Sequence, residues 1–158
     1  MKIEEPNTLQ SVKSFHESFD HPVQDLPKIP DENRSSLRVS LIAEELQELQ
    51  DGILNENIDE IADALCDLQY VLSGAILEFG LAEKFKELFD EVHRSNMSKA
   101  CQTEEEAIAT MNFYKKDSVQ CSYKKKGNYF IVYRDSDKKI LKSINYSPAN
   151  LSPIILKK

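Results

Sequence analysis

The chain has 158 residues, enough for one compact domain that buries a core without disulfide or metal staples. Its net charge of -7 hides a division: residues 1–111 carry 9 Lys+Arg against 24 Asp+Glu, a net -15, and residues 112–158 carry 11 against 3, a net +8. No stretch approaches the roughly 20 apolar residues of a membrane span, the first fifteen residues lack the apolar run of a secretory leader, and Cys66, Cys101 and Cys121 form no CxxC or zinc-finger spacing, so a cytoplasmic protein with reduced thiols and no membrane contact is expected.

In chain order, residues 7–19 read as a short helix, and the proline-rich stretch 20–33 as an irregular connection. A long helix starts near Asn33 or Ser35 and ends near Gly52, with Val39, Ile42, Leu46, Leu49 and Ile53 at the spacing of an amphipathic core face. A second, from about Glu56 to Phe79, aligns Ile58, Ile61, Leu65, Leu68, Leu72 and Ile76 and stops at Gly80. The two should pair antiparallel. A third helix, Ala82 to about Lys99, is expected to bury Phe85, Leu88, Phe89 and Val92, and Thr103 with Glu106 forms a capping box for a fourth over residues 104–115. After Ser118 the period changes. VQCSY and YFIVYR flank KKKGN, a hairpin signal with Gly127 and Asn128 in the turn, and a further short strand is expected at 139–144. The fold class is mainly α, a helical bundle with a small C-terminal antiparallel β-hairpin, organised as a core over 1–116 and an extension of the same domain over 117–158.

The carboxylates are patterned. On the first long helix Glu44 and Glu48 lie nearly opposite the apolar stripe and Glu45 on its flank, while Leu37 and Leu41 share the acidic face, which suggests a cleft or a subunit contact. On the second, Glu56, Glu60, Asp63 and Asp67 fall in one stripe. Like charges at these spacings cost roughly 0.2–0.5 kcal/mol per pair unless something positive compensates them. Oxygen donors without histidine favour Mg²⁺, with Mn²⁺ as a substitute. The bland alternative is a solvated acidic face. A di-iron carboxylate bundle is excluded, because none of His16, His21 or His93 follows a glutamate by three residues.

The segments SLIAEELQEL, DEIADALCDLQYVLSGAILEFGL and FDEVHRSNMSK resemble the MazG-like, phosphoribosyl-ATP-pyrophosphohydrolase-like family of all-alpha NTP pyrophosphohydrolases, marked by EExxE followed by ExxD. Here these are Glu44-Glu45-x-x-Glu48 and Glu60-x-x-Asp63, over about residues 35–100; the tail GNYFIVYRDSDKKILKSINYSPANL is similar to a C-terminal extension of one branch. Eleven residues separate Glu48 from Glu60, and Glu56-x-x-Asp59 is a competing ExxD match. The resemblance implies that Glu45, Glu48, Glu60 and Asp63 hold Mg²⁺ against a nucleoside triphosphate, with Glu44 and Asp67 either further ligands or, like Glu45, candidates for the base that orients the attacking water. It implies cleavage to the monophosphate and pyrophosphate, in nucleotide-pool housecleaning or, alternatively, on phosphoribosyl-ATP in histidine biosynthesis.

From spacing alone Asn96 and Lys99 are either inward-pointing polar groups or the cap of a fraying helix; the resemblance makes them phosphate contacts. Arg34 and Arg38 are further substrate candidates, as is Lys125 within Lys124–Lys126 at the hairpin turn. His16, Phe19 and His21 offer a wall for a base, although Phe15 and Phe19 at i,i+4 also suit a core. Leu37 and Leu41, with the resemblance, imply a homodimer or dimer of dimers. A non-catalytic module with a basic nucleic-acid tail is the rival of another class. The strand-like alternation of residues 129–133 argues for a folded element instead, and no nucleic-acid partner is expected.

Overall fold

The computed structural model describes residues 1–157 and is mainly helical. In order it comprises α1 (Thr8–Ser18), α2 (Glu32–Leu54), α3 (Ile58–Glu78), a 3₁₀ turn (Ala82–Lys84), α4 (Phe85–Met97), α5 (Glu104–Lys115), β1 (Cys121–Lys126), β2 (Tyr129–Arg134) and α6 (Ser152–Leu156). Its contacts cluster into two compact units, Met1–Lys86 and Glu87–Lys158. No single helix among the described residues is long and apolar enough to cross a membrane.

In the first unit α2 and α3 form the paired long helices and α1 lies on α3. Side chains supply the caps: Asp31 accepts from the Arg34 amide at 3.0 Å, and Asn57 from those of Asp59 and Glu60. Gly52 lets the helices touch, since a Cβ there would stand 3.1 Å from the Ile61 nitrogen. Gly80 ends α3 at φ +66°, and a Cβ on it would strike the Leu26 carbonyl. The prolyl connection runs beside this end, with the amides of Gln24 and Lys28 donating to the Leu77 and Phe79 carbonyls.

The buried face takes in only part of the one that spacing selects: Ile42, Leu49, Ile61, Leu68 and Ile76 are buried or half-buried, and the rest are not. Val39, Leu46 and Ile53 on α2 are 69%, 47% and 56% exposed, and Ile58, Leu65 and Leu72 on α3 are exposed as well. The helices meet instead along a stripe about a quarter-turn away, through Arg38, Ile42, Glu45, Leu49 and Gly52 on α2 and Ile61, Ala64, Leu68 and Val71 on α3. The first unit has only α1 to add to the pair, so one apolar stripe stays uncovered. On α4, likewise, Leu88 is buried while Phe89 and Val92 are exposed.

In the second unit α5 lies against the hairpin over a core of Cys101, Ala107, Cys121, Val132 and Leu141. Thr103 caps α5 by accepting from the Glu106 amide, and Glu106 accepts from the Gln102 amide at 2.8 Å, one residue earlier than a capping box requires. Gly127, at φ +60°, takes the first central position of the hairpin turn. The strand expected at 139–144 is a single bridge between Tyr133 and Ile140. With the Cys101–Phe130 bridge it closes the free edge of β2, because two backbone bonds at each place satisfy donors that a full strand would otherwise pair. Helix α6 was not foreseen: its five residues are too short for a periodic signal.

Candidate active site

The α2–α3 pair sets the acids. Glu45, half-buried on the packed stripe, has its proton affinity raised above the ordinary carboxylate value, first by burial and then by the negative charges of Glu48, Asp67, Glu44 and Asp63. Glu44, Glu45, Glu48, Asp63 and Asp67 therefore share one electrostatic patch. Glu60 is not among the charges acting on Glu45; it borders an open depression with Asp59, Ala62, Asp63 and Cys66. Asp59, from the competing ExxD match, is thus beside Glu60 and Asp63.

The chemistry of these donors fits a hard divalent cation. All are carboxylate oxygens, and the patch already favours an added positive charge, since Glu45 holds its proton more tightly than an isolated glutamate. As the side chains stand they are spread apart: among the described residues no three His, Cys, Asp or Glu groups converge closely enough to grip an ion.

One helical turn along the same pair lies an aromatic cavity of about 230 Å³, lined by Val12, Phe15, His16, His21, Leu37, Arg38, Leu41, Tyr70 and Val71. Leu41 precedes Glu45 by four residues, and Asp67 precedes Tyr70 by three and Val71 by four, so cavity and acids follow one another along the helices. Phe15 stacks on His21 at 5.8 Å and meets the edge of Tyr70 at 5.6 Å. Phe15 and Phe19 are 38% and 63% exposed, so they do not fill a core, and Phe15 walls the recess. Of the suggested base wall, His16 and His21 line the cavity, while Phe19 reaches it through Phe15, 4.5 Å away.

Below the cavity Glu78 is buried and receives Arg34 and Arg38, the latter at 2.5 Å. Burial alone would raise the Glu78 pKa, but the two guanidinium hydrogen bonds outweigh it and the net shift is downward. His16 is fixed as neutral: its Nδ1 faces the Pro22 carbonyl at 2.8 Å, which can only accept, and its Nε2 faces the Arg38 guanidinium at 3.3 Å, which can only donate. Burial and then Arg38 lower its pKa, although the Pro22 bond acts against them. Gly74 makes room for this, since a Cβ there would stand 2.5 Å from Arg38 Nη1. The Nε of Arg38 is buried without a partner. Sequence reasoning selected Arg34 and Arg38 but missed Glu78 and Tyr70. The available signal was two arginines at i,i+4 and one acid closing an apolar helix.

The remaining candidates belong to the second unit. Lys99 follows the end of α4 and donates to Asn96 Oδ1, in its last turn, at 2.6 Å, so the two pair across the helix end. Nearby, Ser95 donates to the Tyr146 phenol, and this bond lowers the Tyr146 pKa; burial opposes the shift, and Lys142, Lys99 and Arg94 reinforce it. Lys125 is exposed, 5.4 Å over the Phe130 ring.

The sequence profile of the family described as Phosphoribosyl-ATP pyrophosphohydrolase matches residues 12–96, which takes in most of α1, all of α2 and α3 and nearly all of α4. The chain is also similar to Uncharacterized protein L479 of Acanthamoeba polyphaga mimivirus, 26% identical over 243 aligned positions that cover 96% of this chain and 97% of the viral one. The family match begins at Val12 on the wall of the aromatic cavity, spans both acidic helices and extends through Asn96. By that match, over more than half its length, the chain belongs to the phosphoribosyl-ATP pyrophosphohydrolase family of nucleotide pyrophosphohydrolases.

Proposed function

We propose that the protein is a magnesium-dependent nucleoside triphosphate pyrophosphohydrolase that converts an NTP or dNTP and water into the monophosphate and pyrophosphate, in nucleotide-pool housecleaning. The observation that carries this reading is the succession of an aromatic cavity and a carboxylate patch one turn apart on α2 and α3, suited to a base at one end and a metal-bound triphosphate at the other. Glu48, Glu60, Asp63 and Glu45 would hold Mg²⁺, which when bound neutralises charge on the phosphoryl oxygens. Glu44 and Asp67, which lie outside that ligand set and whose charges act on Glu45, would with Glu45 beside them orient the attacking water and take its proton. The water oxygen bonds to phosphorus as the α–β bridging bond breaks, and the electron pair leaves with pyrophosphate. The cavity side chains supply positioning. Arg38 lines it with a guanidinium held in place by Glu78.

A screen of all NTPs and dNTPs for pyrophosphate release, with and without Mg²⁺, tests it. Asp63→Asn and Glu48→Gln should abolish turnover with helical circular dichroism unchanged; wild-type turnover in either would sink the site. The family match favours a second reading, phosphoribosyl-ATP as substrate in histidine biosynthesis. Release from that compound alone would select it.

A further inference from the structure

The hairpin has two faces. Cys121, Tyr123, Phe130 and Val132 point into the core of the second unit, while Ser122, Lys124, Lys126, Tyr129, Ile131 and Tyr133 alternate onto the other side. An antiparallel face turned from its core is ordinarily polar throughout. Here Tyr129, Ile131 and Tyr133 are half-buried, and a cavity of about 510 Å³ opens between Lys124, Lys126, Ile131, Tyr133, Lys138 and Ile140. That volume lies within the roughly 300–1,000 Å³ of small-molecule sites.

The lining is divided by chemistry. Ile131, Ile140 and the Tyr133 ring make an apolar floor, and the ammonium groups of Lys124 and Lys138 stand 5.6 and 5.2 Å from the centre of that ring. Lys138 is held at φ +59°, a conformation lysine rarely adopts, by its amide bond to the Arg134 carbonyl at 2.9 Å and by Asp137 accepting from the next amide. Asp137 is itself taken by Arg134. Among the described residues no carboxylate forms an ion pair with Lys124, Lys126 or Lys138.

We propose that this cavity binds a nucleoside polyphosphate, its base on Tyr133, Ile131 and Ile140 and its phosphates among Lys124, Lys126 and Lys138. The site is complete within residues 124–140 and uses none of the carboxylates of α2 and α3. An inorganic polyphosphate would satisfy the lysines and leave the apolar floor wet. A nucleic-acid strand needs successive stacking platforms along a groove, whereas this cavity offers one ring surrounded by three cations.

The test uses the intact protein in buffer with a chelator, where the acidic patch, lacking a cation, repels a triphosphate. Titration with α,β-methylene-ATP, followed by calorimetry and by the methyl resonances of Ile131 and Ile140, should give saturable binding with shifts at both methyls. Lys124→Ala combined with Lys138→Ala should weaken binding at least tenfold, with circular dichroism unchanged. Tyr133→Ala should weaken the nucleotide analogue but not inorganic tripolyphosphate, and Glu48→Gln should bind as wild type. Absence of methyl shifts, an affinity indifferent to the two lysines, or tripolyphosphate binding as tightly as the analogue would overturn the proposal. So would a single-stranded oligonucleotide binding tenfold tighter than the analogue, which would make the face a nucleic-acid surface. None of these outcomes depends on turnover, so the proposed catalysis stands or fails separately.

Discussion

Glu78 ties α1, α2 and α3 together through Arg34, Arg38 and His16, although it takes no direct part in the proposed chemistry. Glu78→Gln leaves the buried Arg38 guanidinium without its counter-charge, and losing one partner of a buried pair costs about 3–5 kcal/mol. Chemical denaturation should read a loss of that size. The same network sets an acid sensitivity. His16 in the folded protein has a pKa below its ordinary 6.5, so the unfolded chain binds more protons between the two values. Stability from His16 is therefore complete above pH 6.5 and is lost as pH falls toward the folded pKa. Glu78, also depressed, adds a second loss below pH 4.5, its ordinary value. Melting temperatures of wild type and His16→Gln, measured from pH 7.5 to 5.5, should converge as the pH drops; a constant difference would remove His16 as the cause. The acidic stripes were visible at this scale because acids three or four residues apart, such as Glu44 with Glu48 and Glu60 with Asp63, are neighbours only on a helix. Glu78 was not, because a single acid at the end of an apolar run carries no period.

Helix limits were legible almost to the residue, and the reason is chemical: Asp31, Asn57 and Thr103 cap helix starts with side-chain oxygens, while Gly80 provides the one left-handed residue that closes α3. Which face each helix buries was legible only in part, through Ile42, Leu49, Ile61, Leu68 and Ile76. Periodicity locates an apolar stripe but does not say whether it is covered by the chain's own elements or by another copy, and on α2 and α3 the stripe of Val39, Leu46, Ile53, Leu65 and Leu72 is the uncovered one. The packed stripe, with Arg38, Gly52 and Glu45 in it, scores poorly on any hydrophobic scale. A homodimer that buries the uncovered stripe is expected, with Leu37 and Leu41 lining the aromatic cavity in place of the contact that spacing suggested. Light scattering should report at least a dimer. Leu46→Glu with Leu65→Glu should yield a monomer that keeps its helical circular dichroism, and a wild-type protein that is monomeric and fully active would defeat the assignment.

Across the whole chain, the division between Lys86 and Glu87 bears on where it tolerates cutting. Residues 117–158 include much of the core that α5 covers, among them Cys121, Val132 and Leu141. Their removal bares Ala107 and Met111, and Ser143 and Ile144 no longer meet Glu106 and Thr110. A fragment ending at residue 116 should thus lose amide-exchange protection throughout α5 while α2 and α3 keep theirs. Protection retained in α5 would mean that the helix stands without the hairpin. Should a second copy cover the exposed stripe on the first unit, stability becomes, finally, a matter of abundance. A chain whose apolar helix faces are satisfied only by a second copy folds by mass action, so each tenfold dilution withdraws about 1.4 kcal/mol of free energy from the paired state. The melting temperature should then fall steadily as the protein is diluted. A cell that makes little of it would hold a larger fraction in the separated, more easily degraded form, so expression level itself would set how much folded protein persists.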